Sequence, residues 1–331
     1  MKVCIHYPNL HGVDSFEGTR LRKTLKGACE SAGIAWEEEP SSSTEIAHFL
    51  SPLDERKLLR CKKKGIKTVL SCFYCENDYR ACFLKEKANG KLVMENAVRM
   101  MNKADLVFVP TEGLAELARK EGVKTKIEVL DVGVNLERFS AKSIEANVFP
   151  RYFRVRPEEK FVICVGSYDD EKTLKSLKKI ASLTPKMNFY FFGSRRRGFL
   201  PFPHKKYGKG APSNLIFEPV VEDDVYRSAL MHCVSYLLLD DEHPDQMALM
   251  DAFAAKAEVV AIGDQKANPI LKNGENCLIF KDESEASAGL ARLYLEKDKA
   301  IIMAGYAIAE RHALPCFAAR LKKAYEETLL N

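Results

Sequence analysis

Val129-Leu130-Asp131-Val132-Gly133-Val134-Asn135-Leu136-Glu137-Arg138-Phe139 is the segment from which the architecture of this chain reads most directly. A hydrophobic strand runs into a turn with a central glycine, and an Asn-Leu-Glu-Arg-Phe tail follows. The segment stands near the middle of a 331-residue chain. On either side lies a half that alternates strands with helices, a pattern that implies parallel sheets with right-handed crossovers. Two such halves joined by one turn predict an α/β protein of two Rossmann-like domains with an interdomain cleft for a ligand.

N-terminal to the turn, Val3 to Tyr7 reads as a strand and a loop with Gly12 and Gly18 follows. A helix carries Leu21, Leu25, Ala28 and Cys29 on one face and ends at Gly33, a suitable C-cap. Glu37-Glu38-Glu39-Pro40 with Ser41-Ser42-Ser43 reads as a polar loop. Ile46–Leu50, Thr68–Cys72, Asp105–Pro110 and Lys126–Leu130 are further strands. Helices run from Pro52 to Lys64, closed by Gly65, and from Thr111, a good N-cap, to Glu121. Residues 75–103 read as largely helical. C-terminal to the turn, residues 140–159 carry Pro150 and Pro157 without periodicity and read as a linker. Strands at Phe161–Val165, Asn188–Phe192, Leu215–Phe217, Cys233–Leu239, Val259–Ile262 and Cys277–Phe280 then alternate with helices, and a long basic loop spans Ser194–Ser213. The expected division is a first domain over 1–150, a second over 151–315, and a C-terminal helix, 316–331, that crosses back to the first.

Hydrophobic residues make up 46% and charged residues 29%, a normal globular balance. No apolar run approaches the ~18 residues that span a bilayer, and the first strand is too short for a secretory signal. A cytoplasmic protein is expected. The ten cysteines are scattered among apolar neighbours, as reduced core thiols are. Cys72-Phe73-Tyr74-Cys75, flanked by Cys61 and Cys82, lacks the second Cys-x-x-Cys of a zinc site, so buried thiols are favoured over a metal or redox centre, and no metal is expected. The net charge is +5, and Arg20, Arg22, Lys23 and Lys26, Lys62-Lys63-Lys64, Arg195-Arg196-Arg197 and Lys205-Lys206 form basic clusters. Together they favour an anionic partner, a membrane surface or a sugar nucleotide. No basic stretch interleaves aromatics, so nucleic acid is not expected.

Ligands of such sheets bind beyond the carboxyl ends of the strands. Two segments of the second half fit a diphosphate there. In Cys164-Val165-Gly166-Ser167-Tyr168-Asp169-Asp170-Glu171-Lys172 a strand stops at a glycine and Lys172 opens a helix, where an ammonium group neutralises a departing diphosphate. In His243-Pro244-Asp245-Gln246-Met247-Ala248-Leu249-Met250-Asp251 a loop precedes a helix, so the N–H groups of Gln246, Met247 and Ala248 point outward and Asp251 offers an acceptor to a ribose. Gly12 would let backbone approach the ligand closely.

These segments, in this order, resemble the retaining family-4 glycosyltransferases over nearly the whole chain. The central turn resembles their Asn-Gly-Val-Asp-x-x-x-Phe hinge. Gly166 to Lys172 is similar to their Gly-Arg-…-Glu-Lys-Gly donor loop, and His243 to Asp251 to their Glu-x7-Glu region. Phe191-Phe192-Gly193 is similar to the glycine strand end between them. Asn273-Gly274-Glu275-Asn276-Cys277 is similar to an Asn-Gly-Glu-Asn-Gly turn. Within the family, Glu76–Phe83, Ala104–Thr111 and the hinge look most like the bacterial glycolipid glucosyltransferases that extend a glucosyl-diacylglycerol.

The resemblance implies a GT-B fold and transfer of a sugar, glucose, from a nucleotide sugar of the UDP type to a membrane glycolipid or other glycan. The second half would bind the donor through Gly12, Gly166, Ser167, Lys172, Gly193, His243, Gln246, Met247, Ala248 and Asp251, with Gly12 reaching in from the first half. Basic helices of the first half would hold the protein against the anionic inner face of the cell membrane. No cofactor beyond the substrate and no catalytic residue is assigned. Four chemical positions depart from the family pattern. Ser167 replaces the donor-loop arginine, His243 and Asp251 replace the two glutamates, and the first-domain histidine falls near Ser71 or Phe73. These departures motivate an alternative, a weak or inactive transferase-like subunit that binds a partner enzyme or a glycan.

Overall fold

The computed structural model describes residues 1–7, 16–51, 54–71, 95–140, 147–156, 158–168, 170–194, 204–219, 221–239, 245–265 and 268–330. Gly12, the Cys72/Cys75 pair, Glu76–Phe83, Arg195–Arg197 and His243 lie outside them. The chain forms two compact units, Met1–Val134 with His312–Asn331, and Asn135–Arg311.

In the first unit the order is β1 (Lys2–His6), α1 (Phe16–Ser31), β2 (Ala35–Glu37), β3 (Ile46–Phe49), α2 (Glu55–Lys63), β4 (Lys67–Ser71), β5 (Leu106–Val109), α3 (Glu112–Lys120) and β6 (Ile127–Val129). The strands lie side by side as β2-β1-β3-β4-β5-β6, and every pair is parallel. Parallel strands are covered on both faces, which is why Ile46–Phe49 and Leu106–Val109 are buried at every position. Thr111 caps α3 by accepting from the Leu114 amide, and Gly33 and Gly65 end α1 and α2 in the left-handed region. β2 is a strand that the sequence reading assigned in part to a polar loop.

The C-terminal helix, Leu314–Leu330, belongs to this unit and packs on α1. Its root is tied to the central turn. The Val134 amide donates to the His312 carbonyl at 2.9 Å and the Leu314 amide to the Val134 carbonyl at 2.8 Å. A Cβ on Gly133 would stand 2.6 Å from the Phe317 ring, so close approach to this helix is what the turn's glycine provides. Asp131 accepts from Arg320 at 2.5 Å on the same helix. Farther along, Tyr325 seals His48. The His48 Nδ1 lies 2.6 Å from the Tyr325 hydroxyl and its Nε2 2.6 Å from the Ser71 hydroxyl. Complete burial holds the imidazole pKa down at about 3, so it stays neutral and pins helix to sheet rather than exchanging protons.

The second unit begins with a 3-10 turn, Leu136–Phe139, then α4 (Val148–Phe153), β7 (Phe161–Ser167), α5 (Glu171–Leu183), β8 (Asn188–Ser194), α6 (His204–Gly208), β9 (Leu215–Pro219), α7 (Asp223–His232), β10 (Ser235–Leu238), α8 (Gln246–Ala254), β11 (Glu258–Ile262), β12 (Leu278–Phe280), α9 (Glu283–Leu293) and α10 (Lys299–Arg311). The sequence reading began this unit at 151. It begins at Asn135 because the 3-10 turn and α4 both pack on α7. Helix α4, read as linker, is anchored by buried Phe149, whose ring centroid lies 4.5 Å from Phe161 and 5.0 Å from Tyr190. The strands run β12-β11-β10-β7-β8-β9, all parallel. Val162, Cys164, Phe189 and Phe191 point to one face under Leu177 of α5 and Leu290 of α9. Phe161 and Tyr190 alternate to the other face, toward α4.

Glu258 opens β11 with no exposed surface. Its Oε2 accepts from the Asp298 amide at 3.2 Å, and its Oε1 has no hydrogen-bond partner among the described residues. Burial pushes its pKa up to about 7, against a smaller opposing pull from the Asp298 amide and Lys297. A carboxyl group with a raised folded-state pKa stabilises the fold while protonated, and that contribution is lost as pH rises from the ordinary value through about 7. Glu258→Gln should therefore leave Tm unchanged at pH 4 and raise it by roughly 3–5 °C at pH 8 relative to the parent. Thermal melts of both proteins at the two pH values check this, and parallel curves would contradict it.

Candidate functional site

In the second unit the strand order reverses between β7 and β10. β8 and β9 follow β7 outward on one side, and β11 and β12 follow β10 on the other. The carboxyl ends of β7 and β10 therefore form a topological switch point, the edge at which open α/β sheets hold their ligands. Helix α5 starts just past β7 and helix α8 just past β10. Both bring N–H groups and a positive dipole end to that edge. Lys172, the second residue of α5, is exposed there.

Each helix start is shaped by an aspartate. Asp170 caps α5, its Oδ1 accepting from the Thr173 amide at 3.1 Å and its Oδ2 from the Thr173 hydroxyl at 2.5 Å. Asp245 caps α8 by accepting from the Ala248 amide at 2.8 Å. Of the three amides that the sequence singled out, Ala248 is thus spent on the cap. Gln246 donates from its side chain to Asn268, whose own amide donates to Gln265 at 3.1 Å, and Gln265 donates to the Ile262 carbonyl at 2.8 Å. This relay of neutral amides fixes the first turn of α8 to the end of β11. Met247 and Ala248 are buried.

Gly166 and Gly193 face each other across β7 and β8. A Cβ on Gly193 would come within 2.8 Å of the Gly166 carbonyl oxygen and 2.9 Å of the Tyr168 ring. The glycine strand end is therefore filled by protein. Tyr168 crosses above it and donates to the Glu218 carbonyl at 2.6 Å, tying the loop after β7 to the end of β9. Ser167 ends β7, half-buried.

Asp251 stands one turn into α8, and its side chain is 6% exposed. Its Oδ1 accepts from Arg138 Nη1 at 3.4 Å. Arg138 also donates from Nη2 to Asp223 at 2.5 Å. Sequence reasoning missed this arginine, although the residue lies inside the central turn, because nothing local marks its partners.

In the first unit the strand order changes sense between β1 and β3. There His6, last in β1, sets its Nε2 3.2 Å from Asp54, the N-cap of α2. Lys57 lies beyond it and pairs with Glu39. Burial, with Lys57 second, lowers the His6 pKa against the pull of Asp54. The sequence read His6 only as a strand residue. A histidine at a strand's carboxyl end was the signal available. Among the described residues, no group of three His, Cys, Asp or Glu side chains could hold a metal ion, and no helix is long and apolar enough to cross a membrane.

Two parallel six-stranded sheets with flanking helices match the GT-B fold of the glycosyltransferases. Sucrose-phosphate synthase from Thermosynechococcus elongatus superposes with a TM-score of 0.74 over 99% of this chain and 98% of its own, at 11% identity. HepE of Anabaena, solved in complex with UDP-glucose, gives 0.72 over 99% of this chain and all of its own, at 13% identity. In sequence, the chain is 22% identical over 305 residues to the processive diacylglycerol alpha-glucosyltransferase of Acholeplasma laidlawii, covering 92% of this chain and 91% of that protein. No family model matches the chain. Its relatives in sequence and structure are glycosyltransferases.

Proposed function

We propose that this protein transfers glucose from UDP-glucose to a glycolipid acceptor of the glucosyl-diacylglycerol type, with retention of the anomeric configuration. The observation that carries the donor half is the reversal of strand order between β7 and β10, flanked by Lys172 and the start of α8. The relative that acts on diacylglycerol, similar from end to end, supports the acceptor half, and the UDP-glucose complex of HepE supports the donor's nucleotide.

In this mechanism the diphosphate sits at the carboxyl edge of the second unit. Lys172 and the amides opening α8 stabilise the negative charge that grows as the glucosyl–oxygen bond breaks. Ser167 contributes a hydroxyl where a second cation would add charge. The acceptor hydroxyl attacks the same face of the sugar that the diphosphate leaves, and its proton passes to the departing phosphate oxygen. Helix α2 supports peripheral contact with anionic lipid. It buries Leu58 and Cys61 and exposes Arg56, Leu59, Arg60, Lys62 and Lys63, a basic amphipathic face suited to a headgroup layer.

The test is incubation of the purified protein with UDP-glucose and vesicles of anionic lipid containing monoglucosyl-diacylglycerol. UDP release with an α-linked diglucosyl lipid is expected. A β-linked product would overturn retention. Nucleotide-sugar binding with no turnover on any lipid or glycan acceptor would favour the alternative, a transferase-like subunit that serves a partner enzyme.

A further inference from the structure

The first residues of the second unit pack on α7. Asn135 caps the 3-10 turn by accepting from the Glu137 amide at 3.0 Å. Arg227 of α7 then donates to the Arg138 carbonyl at 2.8 Å, and Arg227 is itself paired with Asp223 and Asp224. The turn is thereby strapped to α7 by its backbone. That leaves the Arg138 guanidinium to span two elements, Asp223 at the start of α7 and Asp251 in α8.

The two carboxylates differ in surroundings. Asp223 has 44% of its side chain exposed and Asp251 only 6%. A solvated carboxylate holds itself in water, whereas a buried one needs a counter-charge within hydrogen-bond reach. Arg138 supplies one such charge, 3.4 Å away, from a planar fork that favours one direction. Asp251 is the acidic residue of α8, one turn past the helix start that stands at the carboxyl edge of the sheet, and a carboxylate has acceptor capacity for more than one donor.

We propose that Arg138 is a positioning residue of the donor site: it sets the charge and the direction of the Asp251 carboxylate so that Asp251 accepts from the ribose hydroxyls of the bound nucleotide. The proposal rests on the donor reading above. It makes the hinge sequence, through its arginine, part of nucleotide selection, a role distinct from joining two units.

The experiment compares the affinities of UDP and 2′,3′-dideoxy-UDP, which lacks both ribose hydroxyls, for the parent protein and for Arg138→Met. Methionine keeps an unbranched stem of similar reach and removes the fork. The parent should prefer UDP by about 10-fold or more, as expected for hydrogen bonds to a charged acceptor. Arg138→Met should lose about 10-fold in UDP affinity and keep its dideoxy-UDP affinity within about twofold, so the preference disappears. Arg138→Lys, which keeps charge without the fork, should restore part of it. A merely structural role would weaken both nucleotides alike. Should Arg138→Met fail to fold, Asp251→Asn, nearly isosteric and neutral, must show the same loss of preference. An unchanged preference in either folded variant, or a parent that does not discriminate, overturns the proposal while leaving the donor site standing. A folded parent that binds neither nucleotide overturns the donor reading and the proposal with it.

Discussion

Lys172→Ala is expected to weaken UDP binding by about 10- to 100-fold, while Lys63→Ala leaves it within about twofold. Both lysines are exposed, so net charge changes equally in the two variants, and long-range attraction of an anion changes little in either. The difference lies in place. Lys172 opens α5 at the carboxyl end of β7, beside the reversal of strand order, whereas Lys63 closes α2 in the other unit. Within the proposed mechanism, a charged hydrogen bond from Lys172 to a phosphate oxygen contributes about 1.5–3 kcal/mol. In that mechanism Ser167 takes the place of a second cation, so a larger part of the burden would fall on this lysine. Turnover should fall further than affinity, because the leaving diphosphate carries more charge in the transition state than in the donor. Isothermal titration with UDP across the three proteins decides the matter. Equal losses for both variants would remove Lys172 from the site.

Gly193→Ala should cost about 2–3 kcal/mol and weaken UDP binding through a residue that need not touch it. The added Cβ would meet the Gly166 carbonyl oxygen and an edge of the Phe191 ring at 2.8 Å each, and the Tyr168 ring at 2.9 Å. The nearest neighbour is backbone of the paired strand, so relief requires β7 and β8 to part at their carboxyl ends. The loop that leads to Lys172 starts there. Gly208 offers the control, since a Cβ at that position meets nothing within 4 Å. Gly208→Ala should leave Tm and affinity unchanged. Thermal melts and UDP titration of both variants test the pair, and a Gly193→Ala protein as stable as the parent would contradict the packing described.

Much of this architecture was legible because strands buried on both faces must be written as apolar runs. Val162 to Cys164, Phe189 to Phe192 and Leu106 to Val109 leave little choice. Caps were legible for a similarly local reason: Thr111 and Gly33 each act within one turn of where they stand. What escaped the reading was short or distant. β2 has three residues and carries a glutamate, too brief for alternation to register. Helix α4 has six residues and a proline in its first turn, and it reads as linker until Phe149 is seen among Phe161, Tyr190 and Phe192. The site divides the same way. Lys172 and the start of α8 could be placed at one sheet edge from the order of strands and helices. The pairing of Arg138 with Asp251 could not, since 113 residues separate them and only the packing of the 3-10 turn and α8 on α7 brings them together. Likewise the Gly133 requirement is met by Phe317, far along the chain, and no turn rule predicts it.

The most direct test of the central claim is a crystal structure with UDP bound. The diphosphate is predicted at the carboxyl edge of β7 and β10, with a phosphate oxygen about 3 Å from Lys172 Nζ and another accepting from the amides that open α8. UDP bound away from that edge, or at it with Lys172 turned to solvent, would contradict the account.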